Sequence, residues 1–138
     1  MNPILAPVVA LVAWTFVMWL WMYATRLPAM RRARVKSDPM RPRGEQAASL
    51  PARVRWKADN YNHLMEMPTL FYAIALVLAL AGPADSLNTS LAWGYVGLRV
   101  VHSLWQALIN NIEVRFLIFF ASSCVLFVLV VRAALVVF

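Results

Sequence analysis

From Ile4 to about Thr25 the chain runs without a single charged residue, and no other feature restricts its fold as severely. A helix needs about 20 mostly apolar residues to cross a bilayer. In lipid the backbone must satisfy its own hydrogen bonds, which leaves only helices and closed barrels. Three further stretches qualify, at about Tyr61–Gly82, Leu87–Ile109 and Val114–Val137. They lack the strict alternation of barrel strands, so the pattern predicts helices. Composition agrees: 62% of the residues are hydrophobic and 14% charged, against about 45–50% and about 25% in ordinary soluble domains. This excess of apolar over charged residues rules out disorder and argues strongly against a soluble globule. The expectation is an all-α integral membrane protein, one bundle of four transmembrane helices over residues 1–138. The first apolar run has no basic stretch before it and a basic cluster after it, so it reads as a retained helix rather than a cleaved signal.

Ten of the thirteen basic residues lie between Arg26 and Lys57. Pro28, Pro39, Pro42, Gly44 and Pro51 break any continuous helix across that segment. The positive-inside rule makes residues 26–57 a cytoplasmic loop and puts both termini outside. The turn at Gly82–Ser86 is then external and the tight turn at Asn110–Glu113 cytoplasmic. Trp19, Trp21 and Tyr23, with Trp93 and Tyr95 at the opposite level, suit interfacial belts. A basic loop of this kind fixes topology and touches anionic lipid, and nucleic acid is not an expected partner.

The informative residues are polar ones inside the apolar spans, because a charge at mid-membrane costs roughly 2.5–3.5 kcal/mol and needs a partner or a task. On the second span Arg55, Asp59, Asn62 and Glu66 are spaced four, three and four apart, which places them on one helical face. Asn60 and His63 flank that stripe, and Pro68 predicts a kink. On the third span Arg99, His102, Gln106 and Asn110 share a face, with Ser103 beside them. Arg99 lies about eleven residues from the inner end, or roughly 16 Å at about 1.5 Å per residue. That depth sends it into the bundle. Taken alone, Glu66 and Arg99 read as a pair that neutralises itself and locks the second span to the third. The surplus of Arg26, Arg55, Lys57 and Arg115 at the inner level is not absorbed this way. An excess of guanidinium beside an apolar groove suits a small carboxylate-bearing ligand. Arg132 reads as an end-snorkelling residue. Cys124, the sole cysteine, reads as an inert buried thiol; no metal is expected. The sequon at Asn88 reads as coincidental, and Gly94 with Gly97 as a close helix contact.

At these residues the sequence resembles the membrane-associated proteins in eicosanoid and glutathione metabolism, the MAPEG family. The matching pieces are Asn62-His-Leu-Met-Glu66-Met-Pro68-Thr-Leu-Phe71-Tyr72, Arg99-Val-Val-His102-Ser103 and the downstream Arg115. The end of the second span is similar to bacterial members in particular. The resemblance implies a homotrimer of four-helix protomers, with glutathione as co-substrate between subunits and a lipophilic molecule arriving from the bilayer. Position by position, it places Asn62, Glu66, Arg99 and His102 on the glutathione-contacting faces, with Gln106 one turn beyond. It places Arg115 on the arginine that stabilises the thiolate. Arg26 and Arg55 fall on further basic ligands. Glutathione carries two carboxylates, an ammonium and a thiol, so arginines suit the first and Glu66 the second. Departures narrow the chemistry. Gln106 stands where several family enzymes have tyrosine, and Phe116 and Phe119 stand where some have hydroxyls, which argues against isomerase chemistry. A conjugating or peroxide-reducing transferase is the leading expectation, and a non-catalytic scaffold that binds lipid or thiol is the alternative. A multidrug exporter is more remote, because such transporters rely on a glutamate in the first helix and this span has no ionisable residue.

Overall fold

The computed structural model describes all residues from Met1 to Phe138, and every regular element is a helix. In order these are α1 (Leu5–Arg32), α2 (Glu45–Ala48), α3 (Ala52–Leu64), α4 (Met67–Ala81), α5 (Ser86–Leu108) and α6 (Ile112–Val137). Three stretches are long and apolar enough to cross a membrane: Leu5–Arg32, Ala52–Ala81 and Ile112–Val137. The third expected span, α5, is not among them, because its polar residues dilute its apolar character. Those residues are turned inward. Large apolar side chains such as Phe16, Leu80, Phe127 and Leu135 stay exposed around the outside, as lipid-facing helices require.

The packing follows helical spacing. The buried positions of α1 are Pro7, Leu11, Thr15, Met18 and Met22, one stripe at intervals of three or four. In α6 they are Ser122, Leu126, Leu129 and Ala133, spaced the same way. The centre belongs to α5, which packs on α1, α3 and α6, while α4 lies against α6 and α1. Small buried residues (Ala75, Ala92, Ser103, Ala107, Ser122 and Ala133) let the backbones approach, which replaces the hydrophobic drive that lipid cannot supply. Phe71 stacks on Tyr95 with ring centroids 4.6 Å apart. Asp85 caps α5 through the amide of Leu87, and Asn111 caps α6 through the amides of Glu113 and Val114.

Several expectations are corrected. Pro28 does not end the first helix: α1 continues through it to Arg32. Arg31 and Arg32 in the last turn favour that extension, since cations stabilise a helix C-terminus. The basic connection is therefore residues 33–51, with α2 inside it, and α3 begins at Ala52 rather than near Tyr61. At Pro68 there is more than a kink. The proline lacks an N–H and its ring collides with the carbonyl four residues back, and the helix stops at Leu64, turns through Met65 and Glu66, and restarts as α4. Tyr95 is fully buried rather than interfacial. Cys124 is exposed on α6 rather than buried. Gly94 and Gly97 face open space on the single chain, so the close helix contact expected of them is not made within it. Arg132 does not snorkel. It donates to Asn88 and pairs with Asp85, tying α6 to the start of α5.

Candidate functional site

The predicted site residues separate into two groups. The first lines a groove of about 350 Å³ at the loop end of the bundle, where the end of α1, α2 and α3 meet. Arg26 reaches it from α1 and Arg55 and Asn62 from α3. Of the expected stripe, Arg55, Asp59 and Asn62 lie along α3, Glu66 lies beyond its end, and all four are exposed on the single chain. Arg55, Asp59 and Asn62 border the groove, whereas Glu66 does not. Because α3 ends at Leu64, the spacing of that helix no longer sets the direction of Glu66. Arg43, from the loop, borders the groove too and was not predicted.

That loop is held in place. Gly44 adopts a φ of +92°, which favours glycine. Gln46 donates to the Asp38 carbonyl, and Leu50 is buried beneath the bundle. Arg55 donates its Nε to the Leu50 carbonyl at 3.2 Å. Lys57, expected among the surplus cations, is used structurally instead. Its ammonium donates to the carbonyls of Arg53 and Ala107 and lies 5.2 Å from the Trp21 ring. A cation there satisfies an orphan carbonyl at the end of α5.

The second group is interior. Arg99, His102, Ser103 and Gln106 are all buried on the inward face of α5, as the depth of Arg99 implied. The expected Glu66–Arg99 pair does not form: the ion pairs of the chain are Arg41–Asp38 and Arg132–Asp85. Arg99 instead donates from Nη2 to Nδ1 of His63 at 2.6 Å. An arginine cannot accept, so this contact makes His63 neutral, with its proton on Nε2. His63 in turn stacks on His102, with centroids 4.7 Å apart, and meets Phe119 edge-on at 5.2 Å. His63 thus stands at the middle of the interior cluster. In the sequence it only flanked the polar stripe, and its one signal was its spacing of three from Asn60 and Glu66.

The interior is under-satisfied. Both amide atoms of Asn60, Nε and Nη1 of Arg99, Nδ1 of His102, Oγ of Ser103 and Oε1 of Gln106 are buried without a protein partner. Groups of this kind hold water or another polar guest. Arg115 stands at the foot of α6, half-buried, and its Nη1 donates to Oδ1 of Asn110 at 2.7 Å. Asn110 has a φ of +56° and closes α5 by donating its amide to the Trp105 carbonyl. The turn between α5 and α6 therefore holds Arg115 in place. Chemically, this end of the molecule presents open guanidiniums that can bind an anion. Compared with known proteins, residues 4–135 match the model of the MAPEG family. No curated protein and no solved structure matches the chain.

Proposed function

The chain belongs to the MAPEG family and is an integral membrane protein, and on that premise we propose that it is a glutathione-dependent transferase or peroxidase acting on lipophilic electrophiles. The observation that carries this reading is the set of arginines, none paired with a carboxylate, around one groove at the loop end. Arg26 and Arg55 hold the carboxylates of glutathione, since guanidinium forks bind carboxylates bidentately. Asn62 adds a neutral hydrogen bond beside them. Arg115, aimed by Asn110, is the catalytic residue: a guanidinium near the sulfur lowers the thiol pKa from about 8.5, and the thiolate is the nucleophile. The thiolate attacks the electrophilic carbon, a C–S bond forms and the leaving group departs with its electron pair. With a hydroperoxide the same thiolate attacks the terminal peroxide oxygen: an S–O bond forms as the O–O bond breaks, and the alkoxide takes a proton and leaves as the alcohol. The thiol of a second glutathione then displaces water from the sulfenic acid to give the disulfide.

The bundle crosses the membrane four times, as α1, α3 with α4, α5 and α6, with the loop end cytoplasmic by the positive-inside rule. The working unit is a homotrimer. The exposed side chains of Asn62 and Glu66 then face the neighbouring subunit, whereas Arg99, His102 and Gln106 are buried within each protomer. Detergent-purified protein given glutathione and an aryl halide should form the thioether, and Arg115→Ala should slow it about a hundredfold. Tight glutathione binding without any conjugate would assign a binding scaffold instead, a reading favoured by Phe116 and Phe119 where hydroxyls would assist chemistry.

A further inference from the structure

Four charged side chains border the loop-end groove: Arg26, Arg43, Arg55 and Asp59. None of them is neutralised by another, because neither ion pair in the chain involves them. The remaining lining is mainly small and apolar, from Ala47, Val54 and Ala58 among others. Three cations and one anion thus share about 350 Å³ without cancelling, a volume within the range of about 300–1,000 Å³ that small-molecule sites occupy. Charges of both signs left apart around one space suit a zwitterionic ligand, with carboxylates for the arginines and an ammonium for the aspartate.

From this arrangement we infer that the groove selects its thiol compound by a free α-amino group, which Asp59 receives, while Arg43 joins Arg26 and Arg55 on the carboxylates. The inference rests on the glutathione reading above and names the residue that reads the amine. Glu66, the sequence-based choice for that role, does not border this groove, whereas Asp59 does. Asp59 lies one turn before Asn62 on the same face, inside it. Arg43 is not a free loop residue, because Gly44, Gln46 and Leu50 fix the segment that carries it.

The test is equilibrium binding to the detergent-purified full chain, with two probes. One is glutathione; the other is its analogue with the amine replaced by hydrogen, which removes the charge without adding bulk. The unsubstituted protein should prefer glutathione by about tenfold, the loss expected for one charge-assisted hydrogen bond. Asp59→Asn should bind both probes alike, at the affinity of the analogue, and Asp59→Glu should restore part of the preference. Arg43→Gln should weaken both probes by a similar factor and leave the preference intact. If Asp59→Asn keeps the full preference, or the unsubstituted protein shows none, Asp59 does not read the amine. If the unsubstituted protein binds neither probe, the glutathione reading falls and this inference with it. Because Asp59 is exposed, folding of the variants is checked by their thermal unfolding, and the preference between probes is not moved by a general loss of stability.

Discussion

The two ends of the bundle treat arginine in opposite ways. At the terminal end, Arg132 is matched by Asp85 and Asn88 and joins α6 to the start of α5. At the loop end, Arg26, Arg43 and Arg55 crowd one groove with no carboxylate bonded to any of them. Between the two ends lies Arg99, wholly buried, with one of its nitrogens on His63. A matched cation is part of the scaffold, and an unmatched one waits for a ligand. Arg99 combines the two roles: it is anchored on one side and still has donors without a protein partner.

Substitutions sharpen that comparison. The largest effect is expected for His63→Ala, which leaves a buried guanidinium without its acceptor and should cost about 3 kcal/mol, read from unfolding in detergent. An unchanged stability would mean that Arg99 can swing toward the loop-end groove, and the two groups of residues would then be one. Next is Arg115→Ala, expected to lower conjugate turnover about a hundredfold, as loss of one donor to a developing anion does, with unfolding unaltered. A variant that unfolds early but turns over normally would move Arg115 to the scaffold class. Arg132→Ala should show the reverse pattern. Its pair is about one third exposed (side-chain exposure 31% on each partner), so the loss of stability should be near 1 kcal/mol, with glutathione affinity intact. The smallest effect belongs to Cys124→Ser. On an exposed face of α6 it should change stability by less than about 0.5 kcal/mol and leave turnover alone, whereas lost activity would put a second thiol in the chemistry.

Much of this was legible before any coordinates. The uncharged run after Ile4 fixed a helix in lipid, and the interval from Arg99 to His102 to Gln106 fixed a shared inward face, because helical spacing converts directly into direction. The stripe from Arg55 to Asn62 was legible for the same reason. Glu66 was not, since spacing rules hold only while the helix continues, and Pro68 ended it one turn early. The pairing of Arg99 was also misjudged. Opposite charges at plausible depths suggested Glu66, but the nearest acceptor across α3 was a neutral imidazole. Arg43 escaped because a loop has no period from which to read a direction, and Lys57 because the start of α3 at Ala52 was read as part of that loop.

Sequence alone therefore determined the solvent, the helices and which residues share a face, all of which follow from local composition and the 3.6-residue repeat. Tertiary structure decided which cations are spent and which are free. That depends on the carbonyls, carboxylates and rings that other helices bring within about 3 Å, and no local rule contains those distances.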